Sequence, residues 1–94
     1  MLYFDWDEAK NKANKKKHGI WFEEAQQVFD DAGAILFFDE SHSTKEDRFI
    51  LLGMSASSRV LVVVYCEREK GAVVRIISAR SATPKEVNRY EKGI

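Results

Sequence analysis

Four arginines lie within or at the ends of segments that are otherwise apolar: Arg48, Arg59, Arg75 and Arg80. A long cation is a poor choice in a buried strand unless it is exposed or paired. Guanidinium suits phosphate because its planar fork donates two parallel hydrogen bonds and stays charged at neutral pH. These positions therefore predict phosphate contacts, and ion pairs with Glu46, Glu67 or Glu86 are the alternative.

Two of these arginines belong to one predicted strand, residues 73–80. Side chains alternate between the two faces of a strand, so Arg75 shares a face with Ile77, and Arg80 shares the other with Ile76. Regular alternation therefore predicts that Arg75 and Arg80 lie on opposite faces. At least one of them should meet the open face of the sheet or its rim.

A histidine, a carboxylate and an arginine occur together in residues 42–48. In an extended chain His42, Glu46 and Arg48 have the same parity, so at least Glu46 and Arg48 should project together. Such a group can move protons and steady charge during cleavage of a phosphodiester. A simple ion pair between Glu46 and Arg48 accounts for the same spacing.

The remaining reactive side chains form no metal site. His18 and His42 stand alone, and Cys66 follows an apolar run that predicts a small buried hydrophobe. No two ligand types have metal-site spacing, so neither a metal nor another cofactor is expected. His18 follows three lysines, a pattern typical of the C-terminal end of a helix, and acid–base chemistry is its alternative role.

Composition predicts one cytoplasmic domain over residues 1–94. Of 94 residues 45% are hydrophobic, and a single cysteine excludes an internal disulfide framework. No stretch approaches the roughly 20 apolar residues of a membrane helix. The net charge is zero, but residues 1–22 carry +2, residues 23–47 carry −7 and residues 48–94 carry +5. This asymmetry is compatible with one basic and one acidic surface, although solvated faces explain it equally.

The elements that must position these residues follow from periodicity. Trp6, Ala9 and Ala13 predict an apolar stripe on a helix over residues 7–17, and a second helix is expected over 22–30. Alternation predicts strands over 34–39, 48–54, 59–67 and 73–80, joined by hairpin-length connections. Thr83, Pro84 and Glu86 open a helix over 84–92. Residues 3–6 are either an edge strand or a lead-in.

This order predicts an α+β fold. Its four-stranded, mainly antiparallel sheet should carry two N-terminal helices and one C-terminal helix, packed mainly on one side.

Several motifs together resemble the BrnT family of toxins. They are residues 17–25 (KHGIWFEEA), His42-Ser43 with Glu46 and Arg48, and residues 75–80 (RIISAR). The likeness covers nearly the whole chain, from Phe4-Asp5-Trp6-Asp7 to Glu86 and Tyr90. It implies a RelE-like fold and a metal-independent endoribonuclease that arrests translation. It also implies a cognate antitoxin of the BrnA type, through which the complex is oligomeric.

Residue roles follow from this resemblance combined with side-chain chemistry. The candidates for stabilising the transition-state charge are Arg59, Arg75 and Arg80. Those for proton transfer are His18, Glu46 and Tyr90. The candidate RNA contacts are Lys15, Lys16, Lys17 and Arg48. A non-catalytic subunit, whose basic surface only docks an acidic antitoxin segment, is the alternative function.

Overall fold

The computed structural model describes residues 2–40 and 46–93. Its elements in chain order are β1 (Tyr3–Asp5), α1 (Glu8–His18), α2 (Phe22–Gln27), β2 (Ile35–Phe38), β3 (Arg48–Met54), β4 (Val60–Arg68), β5 (Val73–Ser81) and α3 (Pro84–Lys92). Short 3₁₀ turns follow α2 at Val28–Asp30 and β4 at Glu69–Gly71. The α+β class is therefore confirmed, and α3 has the predicted bounds because Thr83 and Glu86 form the expected capping box.

The sheet has five strands in the order β1-β5-β4-β3-β2. The predicted antiparallel pairings of neighbouring strands, β2–β3, β3–β4 and β4–β5, are confirmed. In addition, β1 forms a parallel edge strand along β5, with Asp5 opposite Arg75. The prediction of four strands was therefore one strand short. Three residues are too few to show alternation, and these paired residues lie 70 positions apart in the chain.

The helices lie on both faces of the sheet, not mainly on one. Residues of the α1–α2 region pack with Leu51, Val63 and Ala79 in the main core. By contrast, α3 lies over the opposite face, where Leu52 and Val62 line a cavity beneath it. Helical periodicity indicates which side of a helix is apolar, but it does not indicate which face of a sheet receives that side.

Two buried asparagines hold α1 in place. The predicted stripe was wrong, because Ala9 and Ala13 are exposed and the buried residues of α1 are Asn11 and Asn14. Asn11 accepts a hydrogen bond from the Phe22 backbone N–H at 2.7 Å and thereby ties α1 to the start of α2. Its amide also donates to carboxylates at each end of this contact, Glu8 at 3.0 Å and Glu23 at 2.8 Å.

Asn14 joins the end of α1 to the sheet. Its amide nitrogen donates to the backbone carbonyls of Ile20 at 2.9 Å and Ala79 at 2.8 Å, and its oxygen accepts from the Ala79 N–H at 3.1 Å. These bonds satisfy buried backbone groups that water does not reach. They fix the last turn of α1 beside the end of β5.

A β-bulge places two predicted site residues on the same face. The pairing between β4 and β5 shifts by one residue between Val64 and Tyr65, and Ile77 is the extra residue. The partners of Arg75 and Arg80 on β4 lie four residues apart, so both arginines project from one face. The prediction of opposite faces was wrong because a bulge reverses the parity of the residues beyond it.

Replacing Asn14 by Ala should destabilise the protein by about 2–4 kcal/mol, since each buried polar group left unsatisfied costs about 1–3 kcal/mol. Chemical denaturation followed by circular dichroism measures this loss. Lys16→Ala, on the exposed side of the same helix, should change the free energy of unfolding by no more than about 0.5 kcal/mol. Equal stability of the two variants would contradict the assigned role of Asn14.

Candidate functional site

Three of the predicted arginines share one face of the sheet. Arg48 and Arg75 both lie opposite Cys66, and Arg80 lies opposite Val62, four residues away on the same strand. We call this surface the arginine face: the sheet surface that carries Arg48, Arg75 and Arg80. At about 3.3 Å per residue, its two ends are roughly 13 Å apart along β4.

The arginines at the ends of β5 are held by different carboxylates. Arg75 Nη1 donates to Asp5 Oδ2 at 2.6 Å across the β1–β5 edge. Arg80 donates to both oxygens of Glu86, at 2.8 and 2.9 Å, and also to the Ser81 carbonyl at 3.3 Å. The expected alternative of an ion pair with Glu86 is therefore realised for Arg80. Because the two carboxylates lie at separate places, the two guanidinium groups do not converge.

Glu86 has two tasks at the beginning of α3. It binds Arg80, and it accepts the Thr83 backbone N–H at 2.8 Å in the capping box. The hydrogen bonds from Arg80 are the main reason that the pKa of Glu86 falls to about 2, against the opposing effect of burial. Glu86 is therefore ionised at neutral pH and keeps Arg80 at the base of α3.

Arg59 precedes β4 and lies at the other side of the same end of the sheet. Its Nε donates to Glu24 Oε2 at 2.9 Å, its Nη2 pairs with Glu24 Oε1, and Nη2 also lies 3.4 Å from the Gly19 carbonyl oxygen. The Ser55 hydroxyl donates to Glu24 Oε2 at 2.7 Å. The hydrogen bond from Arg59 is the main cause that lowers the pKa of Glu24. Glu24 thus fixes the orientation of Arg59.

The end of α1 brings the predicted basic cluster beside Arg59. We call this surface the lysine end: Lys15, Lys16, Lys17, His18 and Arg59. His18 is the last residue of α1 and is exposed, and Gly19, at φ 74°, caps the helix in the left-handed conformation. Gly19, the residue after His18, accepts from Arg59, so the C-terminal end of α1 lies next to the guanidinium.

Lys15 is the most constrained lysine of this surface. Its Nζ donates to the Gly19 carbonyl at 3.3 Å and lies 5.7 Å from the centre of the Trp21 ring. These contacts keep one cation at the helix terminus, where the backbone carbonyls favour positive charge.

Two other predicted site residues have structural partners. Glu46 pairs with Arg68 at 3.3 Å, because the β3–β4 pairing places the Arg68 side chain nearby. Tyr90 donates to Asp31 Oδ2 at 2.6 Å and so fastens α3 to the segment before β2. This bond raises the pKa of Tyr90. His42 lies outside the described residues.

The sequence interpretation missed Glu24 as a site residue. Glu23 and Glu24 both lie in the first turn of α2, where the helix dipole favours acidic residues. This local role gives no reason to single out Glu24. The ion pair with Arg59 spans 35 positions of the chain, and no local pattern indicates it.

Among residues 2–40 and 46–93, no cluster of three His, Cys, Asp or Glu side chains has metal-binding geometry. In the same part of the chain, no helix has the length and apolar character needed to cross a membrane.

Comparison with known proteins connects these surfaces to a family. The sequence model of one protein family, described as the ribonuclease toxin BrnT of type II toxin–antitoxin systems, matches residues 6–86. The chain belongs to the BrnT family. The crystal structure of the Brucella abortus ribonuclease toxin BrnT is similar, with a TM-score of 0.67 and 26% sequence identity over 88% of this chain and 99% of that one. No curated protein sequence matches.

The family match confirms the resemblance to BrnT toxins that the sequence motifs indicated. The BrnT family consists of ribonuclease toxins, and its type II toxin–antitoxin classification implies an antitoxin as partner. The matched range of residues contains the whole lysine end and all three arginines of the arginine face.

Replacing Glu86 by Gln should lower the free energy of unfolding at neutral pH by about 1 kcal/mol. The Gln side-chain oxygen still accepts the Thr83 N–H of the capping box, but the charge opposite Arg80 is lost. The pKa of Glu86 is lowered on folding, so its contribution is present above about pH 4.5 and disappears as the pH falls through about 2. Urea denaturation of both proteins from pH 7 to pH 2 measures this dependence. A stability difference that stays constant over this range would contradict it.

Proposed function

We propose that the chain is a metal-independent endoribonuclease toxin that arrests translation and is neutralised by a BrnA-like antitoxin. The observation that supports this proposal best is the arrangement of the lysine end. There, a guanidinium fixed by a carboxylate contacts the Gly19 carbonyl, which directly follows the helix end that carries three lysines and an exposed histidine. The family match supplies the class of substrate.

Arg59 is suited to binding a phosphate that approaches from solvent. Glu24 and Gly19 occupy its Nε and Nη2, and within residues 2–40 and 46–93 no acceptor binds Nη1. Its side chain is 43% exposed, whereas that of Glu24 is 13% exposed. The carboxylate therefore holds the guanidinium from behind and leaves one N–H edge for a ligand. A cation that is already oriented loses little freedom when the transition state forms.

The proposed reaction uses the RNA as its own nucleophile. A base removes the 2′-hydroxyl proton, the 2′-oxygen attacks the adjacent phosphorus, and the bond from phosphorus to the 5′-oxygen breaks. An acid then protonates the departing 5′-oxygen, so the products are a 2′,3′-cyclic phosphate and a 5′-hydroxyl. Arginine stays protonated at neutral pH, so Arg59 stabilises charge while His18 transfers a proton. The chemistry requires no metal ion.

The other predicted cations have supporting roles in this proposal. Lys15, Lys16 and Lys17 contact the RNA backbone on either side of the cleaved bond. Arg75 and Arg80 contact more distant phosphates, because each is directed to its own carboxylate and away from the other. Arg48 belongs to the same face. Glu46 and Tyr90 are proposed as structural residues, since each already binds a protein partner.

Replacing Arg59 by Ala should reduce RNA cleavage by roughly a hundredfold, the usual effect of removing a group that stabilises transition-state charge. His18→Ala should cause a loss of about the same size, since general acid–base groups contribute about 10²–10⁴-fold. Cleavage of a fluorescent RNA oligonucleotide measures the rate, and growth after induction measures toxicity. Both variants should show the circular dichroism spectrum of the wild type.

Arg68→Ala is the matched control, because this arginine forms an exposed ion pair with Glu46 at the other end of β4. It should cleave RNA at the wild-type rate. Full activity of folded Arg59→Ala would contradict the assigned role, and loss of wild-type cleavage in EDTA would contradict the metal-independent mechanism. A wild-type protein that binds antitoxin but leaves RNA intact would support the non-catalytic alternative.

A further inference from the structure

A cavity beneath α3 combines an apolar floor with a cationic rim. It has a volume of about 610 Å³, and its floor consists of Phe37, Ile50, Leu52 and Val62. Its rim carries Arg80, Lys85, Arg89 and Lys92, and among the described lining residues Glu86 is the single acidic one. Glu86 is already bound to Arg80, so the positive charge of the lysines is not neutralised within the cavity.

The cavity borders an apolar edge of the sheet. β2 is the terminal strand of the described sheet, and its sequence is Ile-Leu-Phe-Phe. Phe37 faces the cavity, while Leu36 and Phe38 on the other side of the strand are 56% and 49% exposed. Edge strands usually carry charges or are covered, because a bare apolar edge promotes association. Phe37 therefore connects the cavity with an apolar strand edge that suits a partner.

We propose that this surface, the α3 cavity with the β2 edge, holds an acidic amphipathic segment of the antitoxin. The proposal rests on the proposed function, in which an antitoxin neutralises the chain. Apolar side chains of the segment fill the floor, and its carboxylates meet Lys85 and Lys92 on the rim. Among the described residues neither lysine has an ion-pair partner, so the isolated chain leaves both charges to a ligand.

The chemistry of the floor favours a protein segment over RNA. Ile50, Leu52 and Val62 make the floor aliphatic, whereas single-stranded RNA binds chiefly by stacking its bases on aromatic rings. Phe37 is the one aromatic ring in the described part of the lining, and the Arg89 guanidinium already lies 4.7 Å from its centre. The bases of an RNA strand would therefore find no uncovered ring here.

The charge of the rim disfavours a second copy of this chain. A symmetric dimer through the β2 edge would place the same patch of each molecule against the other. The lysines and arginines of two α3 helices would then approach one another, and like charges across an interface oppose binding. An acidic partner has the opposite charge and meets no such repulsion.

The test uses the full chain and the product of the adjoining open reading frame that relieves its growth arrest. Lys85→Glu combined with Lys92→Glu reverses two rim charges on exposed positions of α3. Calorimetry should show an increase of roughly 30-fold or more in the dissociation constant for this antitoxin, together with a weaker dependence on salt. Phe37→Ser, on the floor, should weaken binding by about tenfold or more.

The matched control is Arg68→Glu combined with Lys70→Glu, which makes the same change in net charge at the β4–β5 turn. It should bind the antitoxin within about threefold of the wild type. The α3 double variant should still cleave RNA and arrest growth, because the lysine end is unchanged, and antitoxin should no longer relieve the arrest. If neither the wild type nor any variant cleaves RNA but the antitoxin affinities follow this pattern, the proposed ribonuclease activity is refuted and the docking surface is not.

Three results would overturn the docking proposal. The first is an antitoxin affinity of the α3 double variant equal to that of the control. The second is a 12-nucleotide single-stranded RNA that binds this variant more weakly than the wild type while the antitoxin binds both equally. That result would assign the cavity to RNA. The third is a dimer of the isolated wild-type chain in sedimentation that becomes a monomer in Phe37→Ser. That result would assign the β2 edge to a second copy.

Discussion

The position of α1 depends on two buried asparagines. An amphipathic helix normally binds its domain through an apolar stripe, but the buried residues of α1 are Asn11 and Asn14. Their amides satisfy backbone groups of Phe22, Ile20 and Ala79, which belong to α2, the preceding loop and β5. Because such bonds are directional, they fix the rotation of the helix more narrowly than apolar packing does. The lysines and His18 consequently have a defined place beside Arg59.

Arg59, Arg75 and Arg80 are each paired with a carboxylate, but the pairs have different consequences. Glu24 binds Arg59 from the protein side and leaves an exposed edge, whereas Glu86 binds Arg80 through both oxygens. An oriented cation with an open edge is suited to a ligand. A cation bound in a bidentate pair mainly fastens α3 to the sheet, where it shapes the cavity beneath that helix.

The proposed cleavage site and the proposed antitoxin site lie at different places around the same end of the sheet. The lysine end belongs to the face that α1 and α2 cover, and the α3 cavity belongs to the opposite face. Charge reversal on α3 therefore separates neutralisation from cleavage in the proposed experiments.

Local chemistry was sufficient where a few neighbouring residues decide the structure. Thr83, Pro84 and Glu86 determine the beginning of α3, and a run of consecutive apolar residues determines β3. Tertiary structure alone decided three matters: the pairing of β1 with β5, the bulge at Ile77, and the face that receives α3. A register shift or a contact between distant segments depends on the energy of the whole sheet, and no short window of sequence contains it. For that reason the arginines were predicted individually, while their common face and the partnership of Arg59 with Glu24 emerged only from the folded chain.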